Sequence, residues 1–361
     1  MWPLFRRLLF QLPPETAHHL AVAWLECIQK SPSLCACLEK RFNLSDPILH
    51  TKVMGLEFPN PFGLAAGFDK NARLLPSWKA LGFGFAEVGT ITLREQPGNP
   101  KPRLFRLPAD GALINRMGFN NEGAEAIRAR LLTLLNQGRW PAFPVGINLG
   151  KNKATPLQDA AGEYAELLEQ FLDLGDYFVL NVSSPNTPGL RELQEKSRLD
   201  EILGALQSRN QARYKNAVRP LLVKVAPDLE WSALDDVLDL CEKHKLGGIV
   251  ATNTTLTRDG LVRRLDEKGG LSGRPLRKKS TDFIRFIRAR LGPGFTIIGV
   301  GGVFSAEDVY EKIRAGASLV QVYTGFVYEG PFMIRIMQKT LSRLLQRDGF
   351  QSVKEAVGVG S

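Results

Sequence analysis

Eight short apolar runs recur along this 361-residue chain, most of them leading into Gly, Asn, Ser or Thr. Helical patterns separate most of the runs, the clearest at Ala161–Leu174, Ser232–His244, Thr281–Leu291 and Ser305–Ala315. Parallel strands that are buried on both faces appear in a sequence as short apolar runs, and successive parallel strands are usually connected by a helix. The alternation therefore predicts an α/β fold in which eight strands close into a (β/α)8, or TIM, barrel. The runs are Phe62–Ala65, Phe85–Val88, Val145–Asn148, Phe178–Asn181, Leu221–Val225, Gly248–Ala251, Thr296–Val300 and Leu319–Val322.

A doubly wound parallel sheet is the alternative that such an alternation leaves open. It would need a glycine-rich dinucleotide-binding turn after its first strand. The sequence at that point, Ala65-Ala66-Gly67-Phe68-Asp69-Lys70, is not such a turn, so the barrel is the favoured fold. We expect the barrel to occupy residues 46–361, with residues 1–45 forming a smaller helical extension.

The extension carries one helical stripe of apolar residues, made of Ala17, Leu20, Ala21, Trp24, Leu25 and Ile28. A second short helix is predicted at Pro32–Arg41, with proline in its first turn. Two amphipathic helices of this kind either lie in a membrane interface or form a cap packed on the barrel, and the sequence favours neither. The first ten residues resemble a short signal peptide without its long apolar core or cleavage site, so export is not expected. No apolar run is long enough to predict a membrane-spanning segment.

The formal net charge is +10, and much of the excess lies between Leu256 and Arg290. No nucleic-acid-binding motif accompanies this basic segment, so a nucleic-acid partner is not expected. The segment is either a solvated basic face or a surface for an anionic partner. The four cysteines lack the spacing of zinc or redox pairs and are expected to be free thiols, and no metal site is predicted.

The last two predicted strands end in loops suited to a phosphate group. Gly299-Val300-Gly301-Gly302 ends the seventh strand, and Tyr323-Thr324-Gly325 follows the eighth and precedes a helix. Glycine lets backbone N–H groups approach an anion, and a helix N-terminus favours negative charge. Because barrels commonly bind phosphate between these two loops, we expect a phosphate-bearing ligand there.

Two lysines are expected to face the inside of the barrel. Lys70 follows the first strand, and Lys224 lies within the fifth. Burying an ammonium group without a partner is unfavourable. Each lysine therefore forms a Schiff base, neutralises an anionic cofactor or substrate, or belongs to a structural ion pair.

Side-chain amides are unusually frequent at the predicted strand ends. Amides both donate and accept hydrogen bonds, which suits a flat ring with alternating N–H and C=O groups. The loop after the fourth strand, Asn181–Arg191, adds Ser184, whereas none of the four histidines follows a predicted strand. Acid–base chemistry at these loops is therefore expected to use a group other than imidazole. The amides are Asn115, Asn120, Asn148, Asn181, Asn186 and Asn253.

Taken in order, these motifs resemble those of the dihydroorotate dehydrogenase family, and the similarity covers nearly the whole chain. The loop around Ser184 and the N-terminal extension are similar to the class 2, quinone-linked members. Class 1 members typically have Cys at the position of Ser184 and lack the extension. The motifs are residues 65–70, 115–120, 181–187, 224–227, 252–254, 301–302 and 322–325.

The resemblance implies FMN as the cofactor of an enzyme that oxidises dihydroorotate to orotate in pyrimidine biosynthesis. Ser184 would be the catalytic base, with Thr187 or a trapped water taking its proton onward. The residues implied for FMN, the last four of them for its phosphate, are Ala65, Ala66, Gly67, Thr90, Asn148, Asn181, Lys224, Thr252, Gly273, Gly302, Tyr323 and Thr324. The residues implied for the substrate are Lys70, Asn115, Arg116, Met117, Gly118, Phe119, Asn181, Asn186, Asn253 and Thr254.

The same resemblance implies ubiquinone or menaquinone as the final electron acceptor, reached through the N-terminal helices. His18, Arg106 and Tyr323 would border the quinone path. We also expect a monomer, attached peripherally to the cytoplasmic face of the bacterial inner membrane. Three rival interpretations stay open: a class 1-like enzyme using fumarate or NAD, a Schiff-base aldolase or phosphosugar isomerase acting through Lys224, and a membrane-associated binding protein without catalysis.

Overall fold

A closed barrel of eight parallel strands forms the centre of the computed structural model, which describes residues 2–214, 218–262 and 265–360. Each predicted run is a strand, so the (β/α)8 prediction is confirmed. The last strand pairs with the first through Val320 and Phe62, which closes the barrel. The strands are β1 (Phe62–Leu64), β2 (Phe85–Ile91), β3 (Val145–Leu149), β4 (Tyr177–Asn181), β5 (Leu221–Val225), β6 (Gly248–Ala251), β7 (Thr296–Val300) and β8 (Leu319–Val322).

Three helices, α1 (Trp2–Leu9), α2 (Pro14–Gln29) and α3 (Pro32–Phe42), precede the barrel. The sequence predicted only the last two, because the start of the chain resembled a signal peptide. One face of these helices packs on the barrel through Leu25, Ile28 and Phe42, which are buried in the core. The helices therefore do cap the barrel, as one of the two alternatives predicted. They also expose large apolar side chains, at Leu4, Phe5, Leu8, Leu20, Trp24 and Leu34.

The remaining helices surround the barrel, and the four helical patterns singled out in the sequence are confirmed with small shifts of their ends. The helix at Ala306–Arg314 begins with the predicted pair, since the Ser305 hydroxyl accepts a hydrogen bond from the Asp308 amide and the Asp308 carboxylate accepts one from the Ser305 amide. This reciprocal cap satisfies backbone donors at the helix start. The helices are α4 (Leu75–Ala80), α5 (Gly123–Asn136), α6 (Ala160–Phe171), α7 (Lys196–Arg213), α8 (Trp231–Lys243), α9 (Arg277–Leu291), α10 (Ala306–Arg314), α11 (Thr324–Glu329) and α12 (Met333–Arg347).

Two smaller sheets cover the ends of the barrel, and the sequence predicted neither. A hairpin of Thr51–Val53 and Leu56–Phe58 closes the end where the strands begin, with Phe58 packed edge-on against Phe85. A three-stranded antiparallel sheet, here called the side sheet, lies beside the opposite end. Its strands are Leu104–Leu107, Ala112–Asn115 and Gly270–Gly273. Single 3-10 turns occur at Pro47–Leu49, Pro108–Asp110, Leu157–Asp159, Leu190–Gln194, Arg274–Leu276 and Val353–Ala356.

The basic segment lies largely on α9, where many of its charges are paired. Salt bridges join this helix to carboxylates of α8 and α10 and of the loop at Asp228, which favours a solvated basic face over a partner surface. Arg263 and Arg264, which belong to the same segment, lie outside the described residues. The pairs are Arg277–Glu311, Lys278–Asp282, Lys279–Asp228, Arg285–Asp282 and Arg290–Asp239.

Within the described ranges, no helix has both the length and the apolar content needed to cross a bilayer.

Candidate active site

A deep cleft opens where the barrel strands end, enclosing roughly 1000 Å³ that includes its open mouth. Ser184 lines it, together with nearly all of the residues predicted for cofactor and substrate. From the predicted cofactor set the cleft contains Ala65, Ala66, Gly67, Thr90, Asn181, Lys224, Thr252, Gly273, Gly302, Tyr323 and Thr324. From the predicted substrate set it contains Lys70, Asn115, Met117, Gly118, Phe119, Asn181, Asn186, Asn253 and Thr254.

Four predicted site residues are not among those lining the cleft. Asn148 is fully buried one layer below it. The Arg116 guanidinium pairs with Glu267 and stacks on Phe105, so only the backbone of Arg116 belongs to the loop around the cleft. The other two, His18 and Arg106, lie on the side of the N-terminal helices, as described below.

A network of uncharged polar groups underlies the cleft at the ends of β2, β3 and β4. The Thr90 hydroxyl donates to the side-chain oxygen Oδ1 of Asn148 at 2.6 Å. The Asn181 side-chain amide donates to the Thr90 hydroxyl at 3.0 Å and to the same Asn148 oxygen at 3.1 Å. Asn253 donates to Asn181 at 3.3 Å and to Ser183 at 2.9 Å. Each amide is held in one orientation by these bonds, so the cleft presents fixed donors and acceptors to a ligand.

Glu87 is a buried carboxylate beneath the cleft that sequence reasoning missed. It accepts hydrogen bonds from the amides of Asn148 at 2.7 Å and Gln321 at 2.6 Å, and the Lys224 ammonium lies 3.8 Å away. Burial lowers the pKa of Lys224, while the charge of Glu87 opposes that shift. The signal that could have identified Glu87 is a lone carboxylate within the apolar run of β2.

The far end of the cleft is lined by glycines that a larger residue could not replace. Gly302 has a φ of +71°, and a Cβ atom there would lie 2.4 Å from the Cα atom of Arg277. Thr324, the first residue of α11, shares a hydrogen bond of 2.9 Å with Ser272. Exposed backbone N–H groups and hydroxyls in such a narrow turn suit an anionic oxygen group.

Ser184 lies on the loop that follows β4 and is buried. Its hydroxyl accepts a hydrogen bond from the Asn186 backbone amide at 3.3 Å, and the Asn186 side chain donates to Asn115 at 3.2 Å. The nearby Thr187 hydroxyl is also buried and has no hydrogen-bond partner among the described residues. A buried hydroxyl without a partner therefore lies three residues along the chain from Ser184, which itself lines the cleft.

Lys70 and His18 lie close together where α2 covers the mouth of the cleft. Burial lowers the pKa of Lys70 to about 8, partly offset by the charge of Glu15. Burial and the nearby Lys70 charge lower the pKa of His18 to about 3, which keeps the imidazole neutral. Although no histidine follows a strand, the His18 imidazole reaches the loop after β1 because α2 folds back over that loop.

Aromatic rings connect the extension with the cleft. The His18 ring packs edge-on against Phe68 at 5.0 Å between centroids, and Phe68 packs against Tyr323 at 5.5 Å. Arg106 lies apart from this row, where it stacks on Phe10 at 4.5 Å and bonds to the carbonyl groups of Leu9 and Leu12. Phe68 thus joins His18 and Tyr323, two of the three residues predicted for a quinone path. The third, Arg106, holds the segment that connects α1 and α2.

The chain is similar to known proteins over nearly its full length. The family model for dihydroorotate dehydrogenase matches residues 48–345. A protein named dihydroorotate dehydrogenase (quinone) from Gloeobacter violaceus is 54% identical, covering 99% of this chain and 98% of its own. One of the same name from Thermus thermophilus is 52% identical, with coverages of 97% and 98%. The crystal structure of DHODH from Eimeria tenella in complex with ferulenol is 38% identical, with a TM-score of 0.88 over 96% of this chain and 95% of its own. This chain belongs to the dihydroorotate dehydrogenase family.

Proposed function

We propose that this chain oxidises dihydroorotate to orotate in pyrimidine biosynthesis, with a flavin as the first electron acceptor and a quinone as the final one. The observation that carries this proposal is the single cleft in which Ser184, Lys70 and Lys224 meet a set of ordered amides. The relatives named dihydroorotate dehydrogenase (quinone) match nearly the whole chain, which supports the same activity and acceptor.

We propose FMN as the flavin because the cleft is lined by a glycine-rich turn suited to a phosphate as well as by side-chain amides suited to a ring with N–H and C=O groups. Gly273 and Gly302, both in backbone conformations that favour glycine, would hold the phosphate with Thr324. A Cβ atom at Gly273 would lie 2.3 Å from the Gly111 carbonyl oxygen, so this approach is open only to glycine. The other residues proposed to contact FMN are Ala65, Ala66, Gly67, Thr90, Asn181, Lys224, Thr252 and Tyr323, with Asn148 orienting Thr90 and Asn181 from below.

In the proposed reaction, bound FMN supplies a hydride acceptor. Ser184 removes the proton from the neighbouring ring carbon of dihydroorotate, and the buried Thr187 hydroxyl or a trapped water takes that proton onward. Lys224 provides positive charge next to the ring system, and its charge is maintained by Glu87. Asn115, Asn186 and Asn253, with Thr254 and the 116–119 backbone, orient the substrate ring.

Lys70 is proposed to bind the substrate carboxylate, which predicts a specific pH dependence. With a pKa of about 8 in the free protein, the Lys70 ammonium is protonated at pH 7 and loses its proton as the pH rises. Because a carboxylate binds the protonated form, the dissociation constant of dihydroorotate should stay constant below pH 7.5 and rise about tenfold per pH unit above 8.5. Anaerobic titration of the flavin absorbance at fixed pH values measures this.

The matched control for this pH dependence is Lys70→Arg. A guanidinium stays protonated throughout this range, so the variant should lose the alkaline weakening even if its affinity is lower overall. A wild-type affinity that stays constant to pH 9.5, or an identical slope in Lys70→Arg, would contradict the assignment.

We propose that residues 1–45 bring the quinone to the flavin, and that residues 46–361 form the catalytic barrel. The exposed apolar face of α1 and α2, which includes Phe5, Leu8 and Trp24, would rest in the membrane interface. His18, Phe68 and Tyr323 would border the path toward the flavin, and Arg106 would hold α1 and α2 at its entrance. The bacterial relatives support a peripheral position at the cytoplasmic face of the inner membrane, and we propose a monomer because one chain supplies the whole cleft.

The decisive test has two steps on one sample. The purified protein should be yellow, its extracted flavin should be FMN, and dihydroorotate should bleach the flavin band without oxygen. Vesicles that contain ubiquinone or menaquinone should then restore the band, whereas fumarate and NAD should not. A colourless protein that forms a borohydride-trapped adduct with a carbonyl substrate would instead favour a Schiff-base enzyme acting through Lys224. Restoration by fumarate or NAD alone would favour a class 1-like enzyme.

A further inference from the structure

We propose that Glu15, Arg103 and Asn99 are positioning residues that connect the N-terminal extension to the substrate loops, so that dihydroorotate affinity depends on helix α2. The inference rests on the proposed function and extends it. The extension has been assigned only to the quinone side of the reaction. The contacts show that it also supports the loops proposed to hold the substrate.

The first contact joins α2 to the loop that precedes the side sheet. Glu15, in the first turn of α2, faces Arg103 with a shortest distance of 2.7 Å, and the Arg103 Nε atom lies 3.3 Å from both carboxylate oxygens. Both side chains are buried, which is unusual for an ion pair between an extension and a barrel. Burial would raise the pKa of Glu15, but the hydrogen bonds and charge of Arg103 hold it below its usual value.

The second contact is made by the same Arg103 guanidinium group, to the loop at residues 97–99. The Arg103 Nη1 atom donates to the backbone carbonyl oxygens of Pro97, at 2.6 Å, and Asn99, at 2.9 Å. Arg103 therefore uses one side of its planar fork for the extension and the other for the loop at residues 97–99. Lysine could not make both sets of bonds at once, because its ammonium is a single point of charge.

The third contact reaches the substrate loops. The Asn99 side chain donates to the carbonyl oxygens of Arg116 and Asn186, both at 3.0 Å, and its backbone amide donates to the Met117 carbonyl oxygen at 3.0 Å. One side chain thus ties the 115–119 loop to the loop that carries Ser184. A continuous set of hydrogen bonds runs from α2 to both loops that would surround dihydroorotate.

The charged groups around Lys70 also predict that dihydroorotate affinity depends on Glu15. Four ionisable groups face Lys70: Glu15 and His18 from α2, Arg103 from the loop before the side sheet, and the adjacent Asp69. Glu15 is the strongest of these in favouring the protonated form of Lys70, because it opposes the lowering of the pKa by burial. Removing its charge would therefore weaken the binding of a substrate carboxylate as well as loosen the loops.

The test compares two carboxylates of the same helix. Glu15→Gln removes the charge that Arg103 faces. Glu26→Gln is the matched control, since Glu26 also lies on α2 and pairs with a barrel residue, Arg73, at 3.1 Å. Among the described residues, Glu26 forms no hydrogen bond or ion pair with the 97–99 loop. Anaerobic stopped-flow reduction of the flavin-loaded protein gives the dissociation constant for dihydroorotate and the limiting rate. Steady-state assays with a soluble quinone give the quinone KM.

We expect Glu15→Gln to weaken dihydroorotate binding by about tenfold, with the limiting rate of flavin reduction and the quinone KM within about twofold of wild type. Its alkaline loss of affinity should begin at a lower pH, whereas Glu26→Gln should match wild type. Asn99→Ala, which removes the bonds of the Asn99 side chain to Arg116 and Asn186 without altering the extension, should also weaken dihydroorotate binding, and it tests the inference if Glu15→Gln does not fold.

Unchanged dihydroorotate affinity in Asn99→Ala and in folded Glu15→Gln would overturn the inference while leaving the proposed function intact. An equal loss of dihydroorotate affinity in Glu26→Gln would also overturn the inference, because the loss would then come from a general weakening of how α2 packs on the barrel. If dihydroorotate does not reduce the wild-type flavin at all, the proposed function fails, and the inference fails with it.

Discussion

Replacing Ser184 with Ala is expected to slow flavin reduction by dihydroorotate by about 10²- to 10⁴-fold, the usual contribution of a positioned proton acceptor. The variant removes the only Ser184 atom that can take a proton from the substrate ring. FMN should stay bound, since the proposed phosphate and ring contacts lie on other residues. Rapid mixing of oxygen-free enzyme with dihydroorotate, followed at the flavin band, measures the rate.

Ser184→Cys is the comparison that separates lost chemistry from lost packing. A thiol at this position is close to the hydroxyl in size and can be deprotonated, so this variant should keep more of the rate than Ser184→Ala. Orotate binding, read from the shift of the flavin spectrum, should change little in either variant. Normal reduction kinetics in Ser184→Ala would remove Ser184 from the role of base.

Replacing Glu87 with Ala is expected to lower the free energy of unfolding by about 3–5 kcal/mol, because one partner of a buried pair is left without the other. The Lys224 ammonium would lose the only carboxylate within 4 Å of it in the part of the chain that the structure describes. The amides of Asn148 and Gln321 would lose an acceptor each. Urea unfolding of the flavin-free protein measures the change, since bound flavin would itself add stability.

Glu57→Ala is the matched control for this stability change. Glu57 pairs with Lys52 at 2.9 Å in the hairpin below the barrel, but about half of its side chain is exposed, and exposed pairs contribute roughly 0–1 kcal/mol. Glu87→Gln removes the charge at nearly constant volume, so its loss of unfolding free energy should lie between the losses in Glu87→Ala and Glu57→Ala. A loss below about 1 kcal/mol in Glu87→Ala would show that Lys224 does not need its partner.

The barrel could be predicted because its strands are buried on both faces. A strand such as Leu221–Val225 is buried on both of its faces, so nearly all of its residues are apolar. The change in residue type on either side then marks where the strand begins and ends in the sequence. The side sheet could not be found in this way. Its strands contain residues such as Arg106, Asn115 and Ser272, and its pairing joins segments that are distant in the chain, which no local pattern reveals.

The sequence predicted the residues at or near the carboxyl ends of the barrel strands, but it missed two groups that support them: Glu87, and the pair of Glu15 with Arg103. Asn181 ends β4 and Lys70 follows β1, and the barrel itself brings such residues together. Glu87 was overlooked because its neighbours are apolar, although a carboxylate in a buried strand always needs partners. The pairing of Glu15 with Arg103 depends on how α2 docks, and the docking angle of a helix cannot be read from its periodicity.

The side sheet also sets an order for how the protein is made. Its strand at Ala112–Asn115 comes from the first half of the chain and its strand at Gly270–Gly273 from the second, and the hydrogen bond from Ser272 to Leu113 spans 159 residues. During synthesis on the ribosome, the wall that carries both Asn115 and Gly273 is incomplete until the later segment has emerged. Contacts between such distant segments form late in folding. We therefore expect the cleft to be unable to hold a phosphate-bearing ligand until the segment around Gly273 has been made and paired.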